Sequence, residues 1–234
     1  MMYRAGRTGL IILAVVTVLA VAVLTAWHYV GSASITGGTS QERIASINKL
    51  ADDRAAGAAN AFALAARKET DAEVRAAALY ALGRFLNASH RPVILEASRD
   101  LDSGVRCAAA RVLGQFGDDA AVDRLAEMLA DAFADVPLAA LAALQHCASS
   151  KSYIPLVQAM EKGEPAALRV KAMQCLNFKA GAERASPVDP ANTAQWHHYV
   201  ESIKQRPPVV EAFKRYGVAL DAHPEQIIPG PSEH

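Results

Sequence analysis

Apolar residues recur along the middle of this chain with a period of 31 or 32 residues. One column of positions holds valine or leucine and a second column holds leucine, and the two columns stay in phase. The first column is Val74, Val105, Val136 and Leu168, and the second is Leu50, Leu82, Leu113, Leu144 and Leu176. A fixed period of this length is typical of repeat proteins, in which each repeat is one small supersecondary unit.

Within one period, the spacing of apolar residues predicts two helices. The best example is the stretch from Asp102 to Asp131, in which two groups of apolar residues have helical spacing on either side of Gly117. The first group is Val105, Ala109, Val112, Leu113 and Phe116, and the second is Val122, Leu125, Met128 and Leu129. Asp102 is placed to cap the first helix, and Gly117 is placed to end it.

A pair of short helices cannot bury its own apolar face, so such pairs stack and share a core. The sequence therefore predicts an all-α fold, an α-solenoid of about five helix pairs. Its first pair is expected at Glu42–Ala51 and Arg54–Lys68, with Ile44, Ile47 and Leu50 facing inward. The apolar residues at matching places in successive second helices are expected to form one core column of Phe62, Ile94, Leu125 and Leu156.

Two stretches carry a motif that resembles a known repeat. D-x-x-V-R at Asp71–Arg75 and Asp102–Arg106 is followed by A-A-x-x-x-L-G at Ala77–Gly83 and Ala108–Gly114. This pattern resembles the bacterial HEAT repeat of the PBS-lyase-like kind, and in phase it extends over residues 41–180. The resemblance implies a superhelix in which an arginine and an aspartate of neighbouring repeats form a polar ladder along the turns.

Two prolines interrupt this motif. Pro137 replaces the ladder arginine in the fourth repeat, and Pro165 replaces the aspartate in the fifth. The ladder is therefore expected to be discontinuous there. Pro137 suits the first turn of a helix capped by Asp135.

After Leu176 the period is lost. Asn177–Pro190 is predicted to be a loop, and Asn192–Gln205 a helix with a stripe of Trp196, Tyr199, Val200 and Ile203. A second short helix is expected at Pro208–Tyr216, with Val209, Val210 and Phe213 on its apolar side and Gly217 at its end. Because the last repeat of a solenoid must cover its open core face, residues 181–217 are interpreted as capping helices. Residues 218–234 are predicted to be a disordered tail.

The start of the chain has the pattern of a membrane anchor. Residues 1–8 contain Arg4 and Arg7 and no acid, and Gly9–Trp27 is a run of 19 uncharged residues. A helix of that length extends about 28 Å, enough to cross the hydrocarbon of a bilayer. We therefore expect a transmembrane anchor at 9–30 and a flexible linker at 31–40. No Lys or Arg follows until Arg43, which places residues 1–8 in the cytoplasm and the repeats outside it, in the periplasm.

A cleaved signal peptide is the alternative for this segment. Gly31, Ser32 and Ala33 are small enough for a signal peptidase. The apolar region of a signal peptide is usually about 7 to 15 residues long, which is shorter than this run. The retained anchor is therefore preferred, and either interpretation puts the repeats outside the cytoplasm.

Composition excludes several functions. The whole chain has 24 basic and 24 acidic residues, and no basic face for nucleic acid is evident. The three cysteines, Cys107, Cys147 and Cys175, are predicted to be small core residues, and Cys147 and Cys175 are expected to be too far apart for a disulfide. His197 and His198 are neighbours on a helix and point about 100° apart, which makes a shared metal site unfavourable. The sequence predicts no catalytic, cofactor-binding or metal-binding residue.

What remains for function is the surface. In repeats of this kind the second helices line the concave side, which would present Glu96, Arg99, Arg124, Glu127, Gln158 and Lys162. The resulting hypothesis is a membrane-anchored, non-catalytic scaffold at the inner membrane that binds another protein. The alternative is a tetrapyrrole (phycobilin) lyase-like enzyme or chaperone with the same repeats, which would need a tetrapyrrole pocket that no residue pattern here indicates.

Overall fold

The computed structural model describes residues 35–163, 165–179 and 193–220. In these ranges the chain forms eleven α-helices, two short 3-10 turns at Ala88–His90 and Ser150–Ser152, and no strand. The helices are α1 Ser40–Asp52, α2 Ala58–Lys68, α3 Ala72–Gly83, α4 Arg91–Ala97, α5 Ser103–Phe116, α6 Asp119–Met128, α7 Asp135–His146, α8 Tyr153–Lys162, α9 Ala166–Lys179, α10 Thr193–Lys204 and α11 Pro207–Arg215. The all-α prediction is confirmed for the described residues.

Five predicted segments fall wholly or partly outside these ranges. They are the cytoplasmic segment at 1–8, the membrane anchor at 9–30, the first part of the linker at 31–40, most of the loop at Asn177–Pro190, and the tail from residue 221 onward. Each helix within the described ranges is too short or too polar to cross a bilayer.

The described residues divide into two compact units, one ending at Phe85 and the other beginning at Leu86. In the first unit, α1 and α2 both pack on α3. Ile47, Phe62 and Leu79 fill its core with no exposed surface, while the predicted core residues Ile44 and Leu50 are half-buried.

The second helix of this unit begins later than predicted. Arg54 has a φ of +46° and Gly57 has a φ of +76°, so a turn separates α1 from α2 and the second helix starts at Ala58 instead of Arg54. Backbone in this left-handed region cannot continue a right-handed helix. The helical spacing of the apolar residues does not reveal such a break, because Arg54–Gly57 contributes nothing to the core.

The predicted linker also ends earlier than expected. Thr39 and Glu42 form a capping box at the start of α1, and Gly38 N donates to Glu42 Oε2 at 2.8 Å. Thr36 N donates to Ser46 Oγ at 3.1 Å. The residues from Thr36 to Ser40 are therefore tied to the first helix by side-chain hydrogen bonds, which compositional reasoning about Gly and Ser does not anticipate.

In the second unit, the first helices of successive repeats form one layer. Helix α5 packs on α7 and α7 packs on α9. Helix α6 contacts both α5 and α7, and α8 contacts both α7 and α9. Each second helix thus closes the space between two first helices, as expected for stacked helix pairs.

The residues of the predicted apolar columns are buried, except for Leu50. Phe62, Ile94, Leu125 and Leu156, the predicted core column of the second helices, are each at most 1% exposed. Val105 and Leu113 of the first helix of the third repeat are equally buried, whereas Phe116 is half-buried.

The caps of α5 are confirmed, and that of α7 is not. Asp102 accepts a hydrogen bond from Val105 N at 3.1 Å, and Gly117 ends the helix with a φ of +61°. Asp135, predicted to cap the next first helix, is instead its first helical residue, and the N-cap Ala134 has no side chain that can accept a hydrogen bond. Pro137 still lies in the first turn, because its missing N–H costs nothing there.

Gly114 allows α5 and α7 to approach closely. A Cβ atom at this position would lie 2.8 Å from Ala143 Cβ and 2.9 Å from Ala143 Cα. We expect Gly114→Ala to push the two helices apart and lower the free energy of unfolding by about 1–3 kcal/mol. Chemical denaturation of the purified protein would measure this. The double variant Gly114→Ala, Ala143→Gly should recover part of the loss, and equal stability of Gly114→Ala and the unmodified protein would contradict the tight contact.

The C-terminal helices pack against the last complete repeat. Both α10 and α11 contact α8. Trp196, Tyr199, Val200 and Ile203 are buried as predicted, and so are Val209 and Phe213 in α11. Val210, also predicted to face inward, is 42% exposed, because the face of α11 that packs against its neighbours is narrower than the apolar stretch. Lys204, 7% exposed, forms ion pairs with Glu161 of α8 and with Glu201.

Candidate functional site

The six residues predicted to form a partner-binding surface lie on or just after three second helices. Glu96 is on α4 and Arg99 follows it, Arg124 and Glu127 are on α6, and the last two are Gln158 and Lys162 of α8. Five of the six are exposed, whereas the Arg124 side chain is only 15% exposed. We refer to these six residues as the second-helix surface.

Arg124 connects two helices of this surface. Its Nε donates to Ser98 Oγ at 2.7 Å and its Nη2 donates to the Ser98 carbonyl oxygen at 2.8 Å. Ser98 itself is fully buried, and its hydroxyl donates to the Leu95 carbonyl at 2.7 Å. The guanidinium therefore satisfies carbonyl and hydroxyl groups at the C-terminal end of α4, where the last backbone acceptors of a helix lack internal partners.

Glu127 joins Arg124 to Arg99. Its Oε2 lies 2.5 Å from Arg124 Nη1 and 3.7 Å from Arg99 Nη2, and 59% of its side chain is exposed. The structure thus brings together Arg99, Arg124 and Glu127 as one charged group. Gln158 and Lys162 are exposed on α8, the helix that α10 and α11 also contact.

Ser98 is a component of this surface that sequence reasoning missed. The same position in the next repeat is Leu129, so a serine here departs from the apolar pattern. A small polar residue at an apolar position of a repeat is the signal that could have identified it, since a buried hydroxyl requires a hydrogen-bond partner.

Arg106 and Asp131 form the kind of polar pair that the repeat resemblance implies. Arg106 Nε and Nη2 donate to the two carboxylate oxygens of Asp131 at 2.7 and 2.8 Å, and Arg106 Nη1 donates to the carbonyls of Asp100 and Leu101. The hydrogen bond from Arg106 lowers the pKa of Asp131 below its usual value. Pro137 occupies the equivalent position in the next repeat, so no arginine pair of this kind can form there.

A groove in the second unit contains a further polar cluster. It is lined by Phe116–Ala120, Ala148–Ser150, Arg215 and Tyr216. Asp119 Oδ1 accepts hydrogen bonds from Ser149 Oγ at 2.5 Å and from Tyr216 Oη at 3.2 Å. Because these groups satisfy one another, the cluster fastens the end of α11 to the turns before α6 and α8.

The histidines and acids provide no metal site in the part of the chain that the structure describes. His197 and His198 are both exposed on α10. In residues 35–163, 165–179 and 193–220, no group of three or more His, Cys, Asp or Glu side chains is arranged to hold a metal ion.

The three cysteines are free thiols. Cys147 and Cys175 are buried, and burial raises the pKa of each thiol to about 11. Their predicted role as small core residues agrees with this burial. Cys107 differs, because it is only half-buried.

We expect one thiol of the folded protein, that of Cys107, to react faster with a small disulfide reagent than the other two. At pH 8 a thiol with a pKa of about 11 is ionised to only about one part in a thousand, and burial also blocks access to Cys147 and Cys175. Titration with such a reagent should show one reactive group before unfolding and three after it. Cys107→Ala should remove the reactive group of the folded state, and its persistence in that variant would contradict this assignment.

Residues 59–145 match the family model of HEAT repeats. This match extends from α2 to α7 and includes both copies of the D-x-x-V-R motif. The prediction of HEAT-like repeats is thus confirmed for this part of the chain, while the bacterial PBS-lyase-like subtype stays a prediction.

Among solved structures, the chain is similar to the crystal structure of an engineered protein from the Northeast Structural Genomics Consortium. The two are 18% identical, and the similarity covers 77% of this chain and 91% of that chain with a TM-score of 0.47. No curated protein sequence matches this chain.

Proposed function

We propose that this protein is a non-catalytic scaffold that binds another protein through the second-helix surface. The observation that supports this proposal most is the match to HEAT repeats, because helical repeats of this kind commonly present an extended surface to other proteins. The surface carries charge of both signs, with Arg99, Arg124 and Lys162 against Glu96 and Glu127. A mixed surface of this kind favours specificity by charge complementarity.

The hydrogen bonds of Arg124 support the proposal as well. Because Ser98 holds the guanidinium at two atoms, the arginine loses little side-chain freedom when a partner binds. Arg124 in turn orients Glu127, whose exposed carboxylate is available to a donor on the partner. Arg99 and Glu127 are therefore the residues whose charge reversal should weaken binding most.

Site-specific photo-crosslinking in intact cells tests this function. A photoreactive amino acid placed at Glu96, Glu127 or Gln158 should capture the same protein. A matched control is the photoreactive residue at Gln115, which is exposed on the first helix α5 and should not capture it. Capture of the same protein at Gln115 and at Glu127, or of no protein at the three surface positions, would contradict a specific second-helix surface.

Charge reversal then measures the contribution of the surface. With the captured protein purified, Arg99→Glu and Glu127→Arg should each weaken binding by about tenfold. The same reversals should leave the circular dichroism spectrum unchanged.

The absorption band of an added bilin or haem should not shift on mixing with the protein. Such a shift would favour the tetrapyrrole-lyase alternative.

We also propose that Gly9–Trp27 anchors the scaffold in the inner membrane, with the repeats outside the cytoplasm. The support is the sequence itself: 19 uncharged residues follow Arg4 and Arg7. Protease added to spheroplasts should digest the repeats. Their resistance in intact spheroplasts, together with digestion after lysis, would place them in the cytoplasm and contradict this topology.

A further inference from the structure

Phe133 lies where the preceding repeats have a capping aspartate. Counting 31 residues back from Phe133 gives Asp102, and a further 31 gives Asp71. Asp71 accepts a hydrogen bond from Glu73 N and Asp102 accepts one from Val105 N, so both stabilise the start of their helix. Helix α7 has no side-chain cap, and the Phe133 side chain is 57% exposed. The phenylalanine therefore contributes less to its helix than the aspartate it replaces.

The Arg106 side chain links Phe133 to a second exposed apolar residue. Leu101, in the preceding turn between repeats, is 98% exposed. Arg106 connects the two, since its Nη1 donates to the Leu101 carbonyl at 3.0 Å and its guanidinium carbon lies 5.3 Å from the centre of the Phe133 ring. Cys107 and Leu138 occupy equivalent positions on the neighbouring helices α5 and α7, and both are partly exposed. We call these four apolar residues, Leu101, Cys107, Phe133 and Leu138, the Phe133 patch.

The patch has an excess of negative charge. Burial raises the pKa of the Cys107 thiol, and the charges of Asp135, Asp131 and Asp102 raise it further, whereas Arg106 alone lowers it. Three carboxylates and one guanidinium therefore lie near Cys107. Arg106 pairs with Asp131 through two hydrogen bonds. The other two carboxylates are exposed, Asp102 at the start of α5 and Asp135 at the start of the neighbouring helix α7.

We infer that the Phe133 patch binds a segment of another protein that carries an aliphatic or aromatic side chain flanked by lysine or arginine. An exposed apolar cluster bordered by polar residues is typical of an interaction site. The exposed carboxylates of Asp102 and Asp135 select the charge of the partner, because basic residues beside the apolar contact would pair with them. This patch is formed by the turns between repeats and by first helices, so it is separate from the second-helix surface and does not depend on that proposal.

The test uses the purified full-length chain and short fluorescein-labelled model peptides. One peptide has a Leu-Phe pair flanked by arginines, a second has the same pair flanked by glutamates, and a third has Ser-Ser flanked by arginines. Fluorescence anisotropy should show binding of the first peptide at least about tenfold tighter than of the other two, with an affinity that falls as salt is added. Saturating amounts of the first peptide should also slow the reaction of Cys107 with iodoacetamide.

Two variants separate binding from folding. Phe133→Asp introduces the aspartate that the two preceding repeats have at this position, so it should keep or raise the melting temperature. It should also weaken binding of the first peptide by about tenfold or more. Asp135→Asn, at a position that caps no helix, should weaken binding of the same peptide and reduce the salt dependence of its affinity. The matched control Leu64→Ser removes a side chain of α2 that is 61% exposed and should leave binding unchanged.

Three outcomes would overturn the inference. The first is equal binding of the arginine-flanked and glutamate-flanked peptides, which would show unspecific apolar contact. The second is unchanged affinity of the arginine-flanked peptide for Phe133→Asp. The third is self-association of the full-length chain that Phe133→Asp abolishes in sedimentation experiments, which would make a second copy of this chain the occupant.

Discussion

Arg106→Ala should lower the free energy of unfolding of the second unit by about 3–5 kcal/mol. The side chains of Arg106 and Asp131 are 11% and 15% exposed, so removal of the guanidinium leaves a partly buried carboxylate without its cation. The change also leaves the carbonyls of Asp100 and Leu101 without the donor that now satisfies both. One side chain thus supports the turn before α5 and the turn before α7.

Chemical denaturation followed by circular dichroism measures this effect. Arg99→Ala is the matched control, because Arg99 is 62% exposed and its carboxylate partner is 3.7 Å away. Exposed ion pairs of that kind contribute about 0–1 kcal/mol. If Arg106→Ala and Arg99→Ala destabilised the protein equally, the polar pair between the turns would not hold the repeats together.

The same pair gives an expected dependence on pH. The hydrogen bond from Arg106 lowers the pKa of Asp131 in the folded state, so its contribution is present above the unfolded pKa and is lost as pH falls through the folded pKa. The unmodified protein should therefore lose stability on acidification below about pH 4, the usual range of an aspartate. In Arg106→Ala the loss of stability on acidification should be smaller, since the Asp131 carboxylate no longer has its arginine partner.

The repeating core was predictable from sequence because each of its positions fits two periodicities, that of the helix and that of the repeat. Leu113 and Leu125 have helical spacing within their helix and also recur with the period of the repeat, and both are buried. The cap Asp102 and the terminating Gly117 could be placed because their backbone roles are local. These features depend on residues close in sequence, which is why no structure was needed to find them.

The charged surface could be predicted only in part. Arg124 was expected to be a solvent-facing residue, but it is mostly buried because it bonds to Ser98, which is 26 residues away at the end of another helix. Phe133 was not singled out, although its replacement of an aspartate is visible once the repeats are aligned. The sequence pattern instead favoured Asp135 as the cap. Pairings between repeats are not encoded in helical spacing, so the structure was needed to find them, whereas departures from the repeat motif can be read from an alignment of the repeats.

Leu113→Ala should lower the free energy of unfolding by about 2–5 kcal/mol. Leu113 is 1% exposed on α5, the helix that packs against α7, so its truncation leaves a cavity between two neighbouring first helices. In a stack of repeats stability is approximately a sum of nearest-neighbour terms. Hydrogen exchange should therefore increase most in α5 and α7, while α10 around Trp196 keeps its local protection.

Glu127→Ala provides the contrast, because the Glu127 side chain is 59% exposed and its ion pairs lie at the surface. Glu127→Ala should lower the free energy of unfolding by no more than about 1 kcal/mol. If Glu127→Ala destabilised the protein as much as Leu113→Ala, the assignment of buried and exposed faces would be wrong. The second-helix surface would then be part of the structural core and unavailable to a partner. A large loss of stability for Leu113→Ala and a small one for Glu127→Ala would instead show that Glu127 can be substituted in binding experiments without destabilising the fold.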